Sequence, residues 1–149
     1  VVGYVGAIAD VSAEKRSEEE LRALALLDGL TGLYNRRGFE AAAGARLAEC
    51  RRARVPVALL YLDLDGFKGI NDTHGHPAGD AALAGVGQAL RECFREDDVV
   101  ARLGGDEFVA LAPLRTPAGV DGVAILRARI AERVGAVAAR AGLPFAVRA

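Results

Sequence analysis

Apolar positions along the chain fall into short unbroken runs and longer runs with helical spacing. The run Val57-Ala58-Leu59-Leu60-Tyr61-Leu62 is continuously apolar and predicts a central strand buried on both faces. Val99-Val100-Ala101-Arg102-Leu103 and Asp106-Glu107-Phe108-Val109-Ala110-Leu111 flank Gly104-Gly105, which predicts a β-hairpin with the two glycines as its turn. In that register Leu103 faces Asp106, and Arg102 faces Glu107. Residues 36–53, about 80–95 and 119–141 have helical spacing, and residues 143–149 begin another strand. Asp28-Gly29-Leu30-Thr31-Gly32-Leu33-Tyr34-Asn35 is turn-rich, and Asn35 is placed to cap the first of these helices. Residues 66–79 are polar and broken by Gly66, Gly69, Gly75, Pro77 and Gly79, with part of them helical. Alternation of strands and helices with one hairpin predicts an α/β (α+β) sandwich on a mixed, mainly antiparallel sheet.

The first 27 residues have a different texture. Residues 1–11 are apolar, glycine-punctuated and β-branched, and read as one strand with no nearby partner. Ser12 is a fair N-cap for a charged stretch that continues to residue 27. Its stripe of Leu21, Leu24 and Leu27 or Ala25 fits a solvated linker helix and a short coiled coil equally. The chain has no Met and opens Val1-Val2-Gly3, so it reads as an excerpt of a longer protein.

Composition narrows the class. At 149 residues the chain suits one domain, and 52% apolar residues suffice for a core. A formal net charge of −1 with no basic block gives no reason to expect a nucleic-acid groove. No apolar run is long enough to span a bilayer. Cys50 and Cys93 lie in separate helix-like stretches, which favours reduced thiols and a cytoplasmic protein.

The candidate chemistry is carboxylate chemistry. Asp63 and Asp65 end an apolar strand, where ionised groups need water, a donor or a cation. Asp106 and Glu107 sit beside a glycine turn. If the hairpin pairs with the central strand, carboxylates of two strands converge in an oxygen-rich set suited to Mg²⁺. His74 and His76 lack Cys partners at zinc spacing. Taken singly, each acidic pair is better read as structural: a strand end, or Glu107 as a cross-strand partner of Arg102. His76 is better read as a loop residue.

The combination is more specific. Gly104-Gly105-Asp106-Glu107-Phe108 is the sequence that names the GGDEF family. Asp63-Leu64-Asp65-Gly66-Phe67-Lys68-Gly69-Ile70-Asn71-Asp72, with Gly75-His76 and Gly79-Asp80, resembles the family's second signature. Asp28-Gly29-Leu30-Thr31-Gly32-Leu33-Tyr34-Asn35-Arg36-Arg37 resembles its opening. The resemblance covers residues 28–149 and implies a diguanylate cyclase, a nucleotidyltransferase with a nucleotide-cyclase or polymerase-palm-like fold. Such an enzyme joins two GTP into cyclic di-GMP, releases pyrophosphate, and works as a homodimer. It further implies Mg²⁺ (or Mn²⁺) held by Asp63, Asp106 and the Leu64 carbonyl, with Glu107 adding charge. Lys68 is then expected at the phosphates, which the backbone at Gly104 and Gly105 can approach closely. Asn71 and Asp80 are expected to read the guanine edge, and metal-bound Asp106 or a metal-bound water to help deprotonate the attacking hydroxyl.

Arg95 and Asp98 resemble the family's inhibitory product site for cyclic di-GMP; an ordinary ion pair at a helix end is the plainer alternative. Residues 1–11 resemble the last strand of a PAS sensor domain, joined by the linker of residues 12–27. The family's domain continues past the point where this chain stops, with more sheet and a final helix, so the excerpt itself is expected to be inactive. Two rivals stay open: a GTP- or cyclic-di-GMP-binding regulatory module without catalysis, and a cyclase or polymerase for another nucleotide.

Overall fold

The computed structural model describes residues 25–115 and 120–148. The strand and most of the linker expected over residues 1–27 lie outside them. Within the described residues, helices and strands follow in the order α1 (Arg36–Ala53), β1 (Val57–Asp65), α2 (Phe67–His74), α3 (His76–Cys93), β2 (Val99–Gly104), β3 (Glu107–Pro113), α4 (Gly122–Ala141) and β4 (Ala146–Arg148). The strand order is β2-β3-β1-β4, with every ladder antiparallel. One isolated parallel bridge, Tyr34 to Ala101, adds the entry segment beside β2.

Local chemistry explains the helix ends. Asn35 caps α1 by accepting the Gly38 N–H at 3.0 Å. Asp121 caps α4 by accepting from the Val123 and Ala124 N–H groups. The third helix starts at His76, earlier than the expected residue 80. Pro77 lies in its first turn, where a missing N–H costs nothing. Gly75, at φ +81°, closes α2 and opens α3.

Helices lie on both faces of the sheet. On one face, α3 and α4 supply Leu83, Val86, Leu90, Ile130 and Val134 against Leu60, Leu62, Leu64 and Phe108 of the strands. On the other, α1 buries Ala43 against Val99 and Leu111, on β2 and β3. That second layer reaches β1 only at its first residue, Val57. The expectation of a strand buried on both faces is therefore corrected. Along β1 burial alternates: Leu60, Leu62 and Leu64 are buried, whereas Leu59 is 66% and Tyr61 52% exposed. Period-two geometry sends neighbouring side chains to opposite faces, and a continuous apolar run cannot reveal that only one face is covered by the described residues.

Candidate active site

The site forms where β1 and β3 end together. Their register pairs Leu62 with Phe108 and Asp63 with Glu107. Phe108 is fully buried and anchors the hairpin in the main core, so its neighbours Asp106 and Glu107 are held at the rim, half-buried. Two carboxylates directly opposite one another repel unless something cationic or hydrogen-bonding stands between them. Glu107 has one such neighbour in the Tyr61 phenol, which shares the outward face of β1 with Asp63. The phenol is pushed above its ordinary 10.0, first by partial loss of water and then by its hydrogen bond to Glu107 and that group's charge.

The turn differs from the expected one. Gly104 ends β2 and pairs with Glu107, so Gly105 and Asp106 form the two-residue turn. A bulge between Arg102 and Gly104 takes up the slip. Gly104 has φ +143° and Gly105 φ +55°, both disfavoured for residues with a Cβ. Arg102 faces Phe108, not Glu107, and Leu103 does not face Asp106. The Arg102 guanidinium turns instead to the Asp28 carboxylate at 3.2 Å and to the Gly105 carbonyl at 2.8 Å.

Asp65 ends β1 in an ion pair with Arg148 of β4, at 2.7 Å. Leu64 is buried, and its backbone pairs with residue 147. Lys68 is exposed on α2, in the turn just beyond β1. Asn71, on the same helix, lies against Gly79 of α3, the residue before Asp80. A Cβ added to Gly79 would stand 2.0 Å from the Asn71 side-chain oxygen, so only a glycine lets that amide lie there, one residue from Asp80. The sequence reading had singled out Gly79 without this reason. Tyr61 and Arg102 are the neighbours it did not assign to the site; strand alternation from Asp63 would have found Tyr61.

Arg95 and Asp98 share a shallow pocket of ≈ 140 Å³ with Arg115 and Arg129. Asp98 accepts the Arg95 backbone N–H at 2.8 Å, so their contact is a backbone turn and not the expected alternative of an ion pair. Arg46 and Arg115 pair instead with Asp97. His74 and His76 are exposed. Among the described residues, no three His, Cys, Asp or Glu side chains gather closely enough to hold a metal unaided.

The family model for "Diguanylate cyclase, GGDEF domain" matches residues 25–148. The chain is 37% identical over 131 residues to "Cyclic di-GMP phosphodiesterase PdeR" of Escherichia coli (strain K12), covering 86% of this chain and 20% of that protein. It is 40% identical over 118 residues to "Probable diguanylate cyclase DgcC" of the same strain, covering 78% of this chain and 32% of that protein. The chain thus spans a fifth to a third of these two relatives. The coiled coil and GGDEF domain of DgcB from Caulobacter crescentus, solved in complex with c-di-GMP, superimposes with a TM-score of 0.71 at 34% identity, covering 81% of this chain and 62% of that one. With three motifs in order along the chain and a family match over residues 25–148, the chain belongs to the GGDEF family.

Proposed function

We propose that this chain is the GTP-condensing module of a longer signalling protein. Two GTP molecules give cyclic di-GMP and two pyrophosphates: each 3′-hydroxyl attacks the α-phosphate of the other nucleotide. One domain binds one GTP, so two copies face each other during the reaction. The observation that carries this reading is the in-register opposition of Asp63 and Glu107 beside the glycine turn that bears Asp106.

That donor set fits a divalent cation. Opposed carboxylates gain from a cation between them. Mg²⁺ is held by one or two protein carboxylates together with water and substrate phosphates, so a cluster of three is not required. Asp63, Asp106 and the Leu64 carbonyl are the proposed holders of Mg²⁺ or Mn²⁺, with Glu107 adding negative charge. When bound, such an ion neutralises phosphate charge and lowers the pKa of an attacking hydroxyl. Asp106 accepts that proton. Lys68 adds positive charge for the triphosphate, and the bare backbone at Gly104 and Gly105 lets it approach. Asn71 and Asp80 read guanine: an amide and a carboxylate match its carbonyl acceptor and its N–H donors, a pattern that adenine does not present. Arg95 and Asp98 bind the product as an inhibitor, the guanidinium gripping a phosphate or a guanine edge. Both cysteines are free and buried, in keeping with a reducing cytoplasm. Residues 1–11 end a PAS-like sensor and residues 12–27 link it to the module, so that the sensor controls how the two copies meet.

Turnover tests the reading. The full-length protein is incubated with GTP and Mg²⁺, and cyclic di-GMP and pyrophosphate are quantified beside an Asp106→Ala variant. Both products are expected from the wild type and neither from the variant. No product from a wild type that still binds GTP or cyclic di-GMP would reassign the chain to a regulatory binding module.

A further inference from the structure

The Arg102 side chain is not spent on a carboxylate of the site, although it lies on the strand that leads to the turn. It is largely buried, with 13% of its side chain exposed. Its Nε donates to the Gly105 carbonyl at 2.8 Å, and one terminal nitrogen donates to both oxygens of Asp28, at 3.3 and 3.2 Å. Asp28 is itself held. Its Oδ1 accepts the Thr31 N–H at 2.9 Å and the Thr31 hydroxyl at 2.7 Å. Thr31 is buried, and its carbonyl accepts from Arg91 of α3 at 2.7 Å. The Arg102 backbone N–H also donates to the Tyr34 carbonyl at 2.8 Å.

From this geometry we infer that Arg102 is a positioning residue for the reaction: it bridges the Asp28–Thr31 entry turn to the Gly105 carbonyl and so sets the angle at which the turn presents Asp106. A two-residue turn of a glycine and an aspartate after a bulge has little stiffness of its own. Gly104 and Gly105 are exposed, and a Cβ added at either would meet nothing within 4 Å. The turn therefore takes its rigidity from the Arg102 contact. A guanidinium can grip two acceptors in different directions because its donors form a planar fork; an ammonium is a point donor and holds one of them less directionally. The bridge also gives the entry segment a route to the site, because residues 25–35 lie against β2 through the Tyr34–Ala101 bridge.

The inference rests on the proposed cyclase reading, and its test keeps the two separate. Arg102→Lys and Asp28→Asn are made singly and together in the full-length protein. Turnover is measured with GTP and Mg²⁺, and backbone amide exchange is followed across the turn and across α3 and α4. In Arg102→Lys kcat is expected to fall about tenfold or more with little change in the KM for GTP, as for small misplacements of reacting groups. Exchange at residues 105–107 is expected to quicken while α3 and α4 stay protected. The double variant should lose less than the sum of the two singles, because both break one bridge. Wild-type kcat with unaltered turn exchange in Arg102→Lys would overturn the inference. So would exchange that quickens equally everywhere, which would make the bridge a general brace. If the wild-type protein forms no cyclic di-GMP, the cyclase reading fails by itself, and the turn's exchange alone decides whether Arg102 positions it.

Discussion

Leu59 and Leu60 are adjacent in β1 and identical in chemistry, yet 66% of one is exposed and 5% of the other. They report the two faces of the sheet. The face of Leu60 is closed by α3 and α4 and carries the main core. The face of Leu59 is closed by α1 over β2 and β3 and, on β1, only at Val57. The open strip runs through Tyr61 to Asp63 and ends at the acidic rim. The covered face holds the hairpin by Phe108, and the strip left uncovered among the described residues ends at Asp63 and Glu107. On the proposed reading, the core and the carboxylates lie on opposite sides of one strand, and each responds to its own kind of substitution.

The largest expected effect lies at the open end. Asp106→Ala should reduce turnover by ~100-fold or more, as loss of a group acting on developing charge does, while the melting temperature stays close to that of the wild type. The covered face gives the opposite outcome. Leu60→Ala should cost about 2–5 kcal/mol in chemical denaturation, and Phe108→Ala about 3–5 kcal/mol, because each leaves a cavity in the core. A Phe108 variant of wild-type stability would break the comparison.

Smaller effects sharpen it. Gly79→Ala should push the Asn71 amide aside and raise the KM for GTP roughly tenfold, the scale of one lost polar contact in a recognition site. A parallel assay in which kcat fell and KM held would move Asn71 out of the binding step. The Asp28 carboxyl is pushed up by burial, but the Thr31 hydrogen bonds and the Arg102 guanidinium outweigh that and hold it below its ordinary 3.8. A depressed carboxylate stabilises the fold above its unfolded pKa and loses that contribution as pH falls through its folded value. Asp28→Asn should therefore cost about 1–2 kcal/mol at pH 7, a difference that shrinks below pH 3.8 in acid-titrated unfolding curves. Smallest of all, Leu59→Ser should change stability by less than ~0.5 kcal/mol, as exposed sites do. A cost as large as that of Leu60→Ala would show that the strip is covered in the full-length protein.

Much of this was legible in residue order. The helix over residues 36–53 and its Asn35 cap follow from spacing and a side-chain oxygen. The antiparallel hairpin follows from two strand-like runs about a pair of glycines. The three motifs follow from residue identity alone, and with them the family. What stayed hidden depends on partners distant in sequence. The hairpin turn falls one residue later than Gly104-Gly105 because the strand bulges between Arg102 and Gly104, and Arg102 contacts both Gly105 and Asp28, the latter 74 residues away. The start of α3 at His76 was masked by a polar, glycine-rich stretch whose Pro77 reads as a breaker until it is seen in a first turn.

Residue order shows which residues carry charge, where most of the strands and helices lie, and to which family the chain belongs, because propensity, periodicity and motif are local properties. The tertiary structure alone decided which face of β1 is closed, that Asp63 stands opposite Glu107, that Asn71 lies against Gly79, and that Arg102 turns from Glu107 to Asp28. Each of these depends on register and on the packing of elements far apart in the chain, which no local pattern encodes.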